Sequence, residues 1–110
     1  MIIMIQGKTQ EDRHSVTSEM PNVVRGAGGY ILDFKQFSNI SVCFNLELPP
    51  TGLVKLRTGL AELKVILTKS TQEEIVMGEK TEDLDIPCNL QITFFHEEPD
   101  LRIPIPAVPG

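Results

Sequence analysis

Two neighbouring stretches of the chain decide its fold: GYILDFK (residues 29–35) and NISVCFNLEL (residues 39–48). From Ile40 to Leu48 every second residue is apolar, which is the two-residue period of a strand buried on one face. Residues 36–39 form the predicted turn and include Ser38 and Asn39, which accept turn geometry. The two stretches therefore predict a β-hairpin with strands at about 30–35 and 40–48.

A helix is predicted directly after this hairpin. Pro49 and Pro50 end the strand and suit the first turn of a helix. Leucines then recur at steps of three and four residues, the spacing of one buried helix face. These are Leu53, Leu56, Leu60, Leu63 and Leu67.

The N-terminal region predicts a strand followed by a helix. Residues 2–6 predict a strand closed by Gly7, and its residues 2–5 are apolar at both parities, which indicates a central strand covered on both faces. Thr9 and Asp12 resemble a helix capping box. Pro21 lies within the apolar helical spacing that follows, so we expect a kink or a new helix start near Glu19. Glycines then end the helix at 26, 28 and 29.

Residues 69–88 are mostly polar and acidic, and they predict a long loop with at most one short edge strand at 75–77. Alternation returns at 89–95, with Leu90, Ile92 and Phe94 on one side, and predicts strand four. The last residues hold prolines at 99, 104, 106 and 109 between apolar residues. Such a segment cannot be helical, and we expect an extended arm that packs on its own domain or on a second subunit.

The predicted order is strand, helix, strand, strand, helix, strand. It resembles the ferredoxin-like α/β plait, a group that includes ACT-like regulatory domains. The resemblance covers residues 1–96 and rests on element order. It implies an α+β fold with a four-stranded antiparallel sheet, ordered four-one-three-two, and two helices on one face. We predict one domain at 1–98 and a proline-rich C-terminal arm at 99–110.

Composition narrows the classes of partner. The net charge of −5 repels a phosphate backbone and argues against nucleic acid. The apolar start, MIIMI, is too short for a signal segment or a membrane span, and it predicts a cytoplasmic chain with no membrane partner. Reduced thiols follow for Cys43 and Cys88, which we expect not to form a disulfide because strand one would lie between them.

In such a fold one sheet face packs on the helices, and the other, the open face, is polar. Its residues would be Asp33, Ser41, Cys43, Asn45, Glu47, Gln91, Thr93 and Phe95. Uncharged hydrogen-bonding groups orient small polar ligands in pockets. The candidate ligand-binding residues are therefore Asp33, Ser41, Cys43, Asn45, Gln91 and Thr93, with no cofactor, metal ligand or catalytic residue assigned.

Two features predict a homodimer: the apolar residues of strand one that would be exposed on the open face, and the apolar side chains of the arm. We therefore expect a homo-oligomeric binding or regulatory module for a small polar ligand or a protein partner. One alternative is a small enzyme with its site between the open face and the arm, using Asp33, Cys43 or His96. The other alternative is a purely structural subunit.

Overall fold

The computed structural model describes residues 2–38, 40–80 and 85–95. They form strands and helices in an α+β order. The elements are β1 (Ile3–Thr9), α1 (Arg13–Gly26), β2 (Tyr30–Ser38), β3 (Ser41–Leu48), α2 (Gly52–Glu62), β4 (Ile66–Leu67), α3 (Lys69–Glu79) and β5 (Ile86–Phe94). The predicted C-terminal arm and His96 lie outside the described residues.

The strands form one mixed sheet in the order β2-β3-β5-β1-β4. β5 lies parallel to β1 and antiparallel to β3, and the edge strands β2 and β4 are antiparallel to their neighbours. The predicted four-stranded antiparallel sheet with two helices is therefore wrong. In the α/β plait the last strand pairs beside strand one at the edge; here β4 and α3 occupy that edge, and β5 lies between β1 and β3.

The helices pack on one face of this sheet. Alternate residues of β1, β3 and β5 point into a single apolar core with residues of α1, α2 and α3. Residues Ile3 and Ile5 of β1 are buried, whereas Ile2 and Met4 are 61% and 40% exposed. No described element covers the second face of β1, so the prediction that the first strand is covered on both faces stays a prediction.

α1 begins at an N-cap and ends at glycines. The Asp12 side chain accepts a hydrogen bond from the Ser15 amide at 3.0 Å, and this bond lowers the pKa of the Asp12 carboxyl. One helix continues through Pro21, so no new helix begins near Glu19. Gly28, with φ of 84°, takes the left-handed conformation just after the helix end, as the glycine pattern predicts.

The leucine pattern of the second helix is confirmed at its centre. Leu53, Leu56 and Leu60 of α2 are fully buried. α2 ends before the pattern does, since Leu63 is its C-cap residue and Leu67 belongs to β4. Lys64, with φ of 65°, lies between the two elements.

α3 replaces the loop that was predicted for this segment. Thr68 caps the helix, and its buried face consists of Thr71, Ile75 and Gly78. A Cβ atom on Gly78 would lie 2.7 Å from Leu53 Cδ1, so the glycine lets α3 pack closely against α2. The prediction was wrong because two of these three inward residues are not large apolar side chains.

α3 also covers the outer edge of β1. The Gln6 amide donates to Thr71 Oγ1 at 2.8 Å, and the Met4 amide donates to Glu74 Oε1 at 3.3 Å. The Thr68 amide donates to the Gln6 carbonyl at 3.0 Å. The short β4 pairs with Gly7 and Lys8. Backbone groups that an edge strand would leave unpaired are therefore satisfied along this edge.

Candidate functional site

Strand register brings the six predicted ligand-binding residues onto the open face. Asp33 lies opposite Asn45, Ser41 lies opposite Thr93, and Cys43 lies opposite Gln91. Directly opposed residues of neighbouring strands point to the same side of a sheet. The sheet adds further residues to this face from β1 and β5, namely Met4, Gln6, Lys8 and Asn89.

At the centre of the open face an asparagine links two predicted residues. Asn89 Nδ2 donates to Asn45 Oδ1 at 2.8 Å and to Cys43 Sγ at 3.1 Å. Cys43 is only 5% exposed despite lying on this face. The buried Asn89 Oδ1 has no hydrogen-bond partner among the described residues. Asn45 and Cys43 therefore accept hydrogen bonds from Asn89, and they are less accessible to a ligand than the sequence pattern suggested.

A depression of about 520 Å³ opens on this face beside that network. It lies where β1, β5 and the start of α3 meet. Its lining residues are Gln6, Gly7, Lys8, Thr68, Gln91, Thr93 and Phe95. Lys8 Nζ lies over the Phe95 ring, 6.0 Å from its centroid. The lining thus combines one ammonium group, two carboxamides, two hydroxyls and one aromatic ring, and none of these described residues is acidic.

The depression, which we call the Lys8 pocket, contains only part of the predicted set. Gln91 and Thr93 line it, whereas Asp33, Ser41, Cys43 and Asn45 do not. Sequence reasoning ended the first strand before Gly7 and so missed Lys8. The signal was present, because Met4, Gln6 and Lys8 share one parity. Gly7 lies inside β1 and does not end it. Its missing side chain lets Val65 pack against the strand, since a Cβ atom there would lie 2.6 Å from Val65 Cγ1.

Another depression, of about 450 Å³, lies between α1 and α2 on the opposite side of the molecule. Glu19, Glu62 and Lys55 are among its lining residues, so charges of both signs surround it. Gly59 lets the helices approach, since a Cβ atom there would lie 2.6 Å from Val23 Cγ1. Its polar groups are those of two exposed helix surfaces, and they select no particular ligand charge.

The two cysteines lie on opposite faces of the sheet. Cys43 belongs to the open face, whereas Cys88 is buried in the core opposite Leu46. Both are free, as predicted, but the predicted reason is wrong because β3 and β5 are neighbours. The side chains point to opposite sides of the sheet, so no bond can join them. Burial raises the pKa of the Cys88 thiol to about 12.

The groups suggested for catalysis are not assembled within the described residues. Cys43 lies opposite Lys35 and Asp33 lies opposite Asn45 on neighbouring strands, while His96 is outside the described part of the chain. Tyr30 donates a hydrogen bond to Glu47 near one end of the open face, and this bond raises the pKa of the Tyr30 phenol. Over the same ranges, no group of three or more histidine, cysteine, aspartate or glutamate residues converges to hold a metal ion.

Comparison of the chain with protein families, curated proteins and solved structures finds no match. The resemblance to ACT-like domains rested on the predicted element order, to which the structure adds β4 and α3, and these comparisons do not test it. Within the described ranges, no helix is both long and apolar enough to cross a membrane. Function has to be argued from the geometry of the open face itself.

Proposed function

We propose that this protein is a binding module whose open face holds a small anionic ligand in the Lys8 pocket. The observation that carries the proposal is the composition of that pocket. Lys8 is the sole charged residue among the described lining residues, within a chain whose net charge is −5. A positive site on an acidic protein favours a small anion over a polyanion, because the surrounding surface repels extended negative charge.

The remaining lining residues define what else the ligand would contact. Gln6, Gln91, Thr68 and Thr93 supply hydrogen-bond donors and acceptors without charge. The Phe95 ring lies beside the ammonium group and offers a flat apolar surface. A carboxylate joined to a planar apolar group matches both features, since its charge would contact Lys8 while its apolar part lies against Phe95. A few placed polar groups beside an apolar surface are typical of small-molecule sites.

Rigid support favours binding at this place. Gly7 and Lys8 are held by β5 on one side and by β4 on the other. The Thr68 amide donates a hydrogen bond to the Gln6 carbonyl, and the Thr68 hydroxyl donates to Thr71 Oγ1 at 2.8 Å, so Thr68 is fixed in place. The β1 backbone beneath the pocket and the Thr68 side chain are therefore positioned before a ligand arrives, which reduces the entropy lost on binding.

Titration of the full-length protein with benzoate, a carboxylate with a flat apolar ring, tests the proposal. Binding is measured from the changes in backbone amide chemical shifts by NMR. We expect the largest shifts at Lys8, Gln91 and Thr93. Acetate lacks the ring and benzamide lacks the charge, so both should bind at least about tenfold more weakly, a loss of roughly 1.4 kcal/mol. Equal binding of benzoate and benzamide would contradict a site organised around Lys8.

Matched lysine variants separate the pocket from general charge effects. Lys8→Gln should weaken benzoate binding about tenfold, which is within the range expected for loss of one charged contact. Lys35→Gln removes the same charge from the same face but outside the Lys8 pocket, since Lys35 lies opposite Cys43 on β2. It should leave binding unchanged. If both variants lose affinity equally, the attraction is a property of the whole surface.

A further inference from the structure

The outer edge of β2 is unpaired within the part of the chain that the structure describes. β2 lies at one end of the strand order, and no described residue pairs with its outer side. Residues 32–38 are all exposed. They include three large apolar side chains, since Leu32, Phe34 and Phe37 are 54%, 42% and 59% exposed. An unpaired edge with apolar side chains is a template for addition of another strand.

The opposite edge of the sheet shows how this chain protects an edge. There β4 pairs with Gly7 and Lys8, and Thr71 and Glu74 of α3 accept hydrogen bonds from the β1 amides. β2 receives no such cover from the described elements. The contrast points to an occupant that comes from outside the described fold.

The charges along β2 match those of a second copy in one register. Between two register shifts, residues 33–36 form a regular segment. Asp33 and Lys35 point to the open face, and Phe34 lies between them on the other side, opposite Phe44. Antiparallel pairing centred on Phe34 places Asp33 opposite the partner's Lys35, and Lys35 opposite the partner's Asp33. Centring on Asp33 or on Lys35 would instead oppose like charges, which is unfavourable.

The aromatic residues support the same register. Phe34 and Phe44 pack with ring centroids 4.9 Å apart. Pairing centred on Phe34 brings Phe34 against the partner's Phe34, so that a row of four rings crosses the junction on the helix side of the sheet. Aromatic cross-strand pairs are among the stabilising pairs of antiparallel sheets. The register shifts on either side of residues 33–36 disturb the ladder and limit pairing to a short segment.

We propose that β2 pairs with β2 of a second copy, antiparallel about a two-fold axis at Phe34, to give one continuous ten-stranded sheet. A two-fold contact uses the same patch on both subunits and closes on itself, which matches the self-complementary Asp33, Phe34 and Lys35 sequence. This interface differs from the dimer predicted from the sequence, which used the open faces or the arms. The Lys8 pocket lies towards the opposite edge of the sheet, beside β4, so this interface leaves it accessible in both subunits.

Sedimentation of the full-length chain at tens of micromolar tests the charge register. We expect the wild type to be a dimer of the 12.3 kDa chain. Asp33→Lys and Lys35→Asp should each raise the dissociation constant about tenfold, since symmetry converts two attractive pairs into two repulsive ones. The double variant D33K/K35D restores opposite charges and should return to within about threefold of wild type. Lys55→Asp, at an exposed site on α2, is the control and should have no effect.

Each other result overturns the proposal. A wild-type monomer means that β2 does not recruit a second copy. A dimer that ignores both single charge reversals lies on another surface. A double variant that stays as weak as the single variants means that Asp33 and Lys35 do not face each other. Far-ultraviolet circular dichroism of every variant checks folding, which these exposed positions should not alter.

Cysteine cross-linking tests the two-fold axis independently of charge. Phe34→Cys should form a disulfide-linked dimer, because residues at the axis have α carbons about 4.5–5.5 Å apart. Gln36→Cys lies on the same strand face, but the two copies of residue 36 are offset by four residues, or about 13 Å. It should cross-link at least about tenfold more slowly. Faster cross-linking at Gln36→Cys would overturn the register, and the native Cys43 and Cys88 are buried and supply little background.

Discussion

The two faces of the sheet are made by the same strands, but one is apolar and buried whereas the other is largely polar. On the helix side, side chains from β1, β3 and β5 merge with those of α1, α2 and α3 into one apolar core. On the open face the alternate residues of the same strands are largely polar, and Asn89 bonds to Asn45 and Cys43. One face therefore stabilises the fold by burial, while the other presents groups that can bind a ligand.

The largest difference between the faces should be in stability. Leu60→Ala removes a fully buried α2 side chain and should lower the free energy of unfolding by about 2–5 kcal/mol, through lost burial and a residual cavity. Lys55→Ala, at an exposed position of the same helix, should change it by less than about 0.5 kcal/mol. Urea denaturation measures both. Equal effects would mean that α2 does not pack on the sheet through its leucines.

The same contrast explains how much the sequence could predict. The hairpin of β2 and β3, the start of α2 and the parity of the open face all follow from short periodic patterns. Those patterns are local, so they placed Gln91 and Thr93 on the open face without knowledge of the strand order. Pairing between strands that are distant in sequence has no such local pattern. The residues of β5 alone do not indicate that this strand lies between β1 and β3.

The helix that was missed, α3, has mainly small or polar inward residues. Thr71 is 2% exposed because its hydroxyl bonds to the backbone of β1, a role that a hydrophobic pattern cannot report. Thr68 joins Lys8 in the pocket because β4 and the start of α3 bring the chain back to β1. The candidate site thus depends on the same long-range contacts as the unpredicted part of the fold.

The two cysteines allow the two faces to be compared with the same residue type, because Cys43 lies on the open face and Cys88 lies in the core. Cys88 has its pKa raised to about 12 by burial, from the reference value of 9.0. Between these values the unfolded chain loses the proton while the native state keeps it, so the contribution of Cys88 to stability should be constant below pH 9 and fall as pH rises above it. The fall attributable to Cys88 should be at most about 1.4 kcal/mol per pH unit.

Variant pairs isolate that contribution from other groups that titrate at high pH. Denaturation of the wild type and Cys88→Ala is compared from pH 8 to about pH 10.5, a window that spans the ordinary thiol pKa. The stability difference between them should shift in favour of Cys88→Ala as the pH rises. Cys43→Ala, on the open face, keeps Cys88 and should retain the full decline. A constant difference between wild type and Cys88→Ala would show that the Cys88 thiol is not held in an apolar core.

The smallest effect is expected at the rim of the open face, where a substitution should shift the titration of the Tyr30 phenol with little change in stability. Tyr30 is the single tyrosine of a chain that has no tryptophan, so the absorbance of its phenolate reports on this one residue. Its hydroxyl donates to the Glu47 carboxylate, and losing that proton would both break the bond and place two negative charges together. The pKa of Tyr30 is therefore raised above the ordinary value of 10.0.

Replacing the carboxylate distinguishes this local cause from the general charge of the protein. Glu47→Gln keeps an oxygen acceptor but removes the negative charge, so the midpoint of the Tyr30 titration should fall towards its ordinary value. Glu19→Gln removes one negative charge from α1, on the helix side of the sheet, and should leave the midpoint unchanged. A wild-type midpoint at or below 10.0, or an equal response to both variants, would mean that Tyr30 and Glu47 do not meet. Because these residues face each other across β2 and β3, that result would also contradict the register from which the open face and the β2 interface are derived.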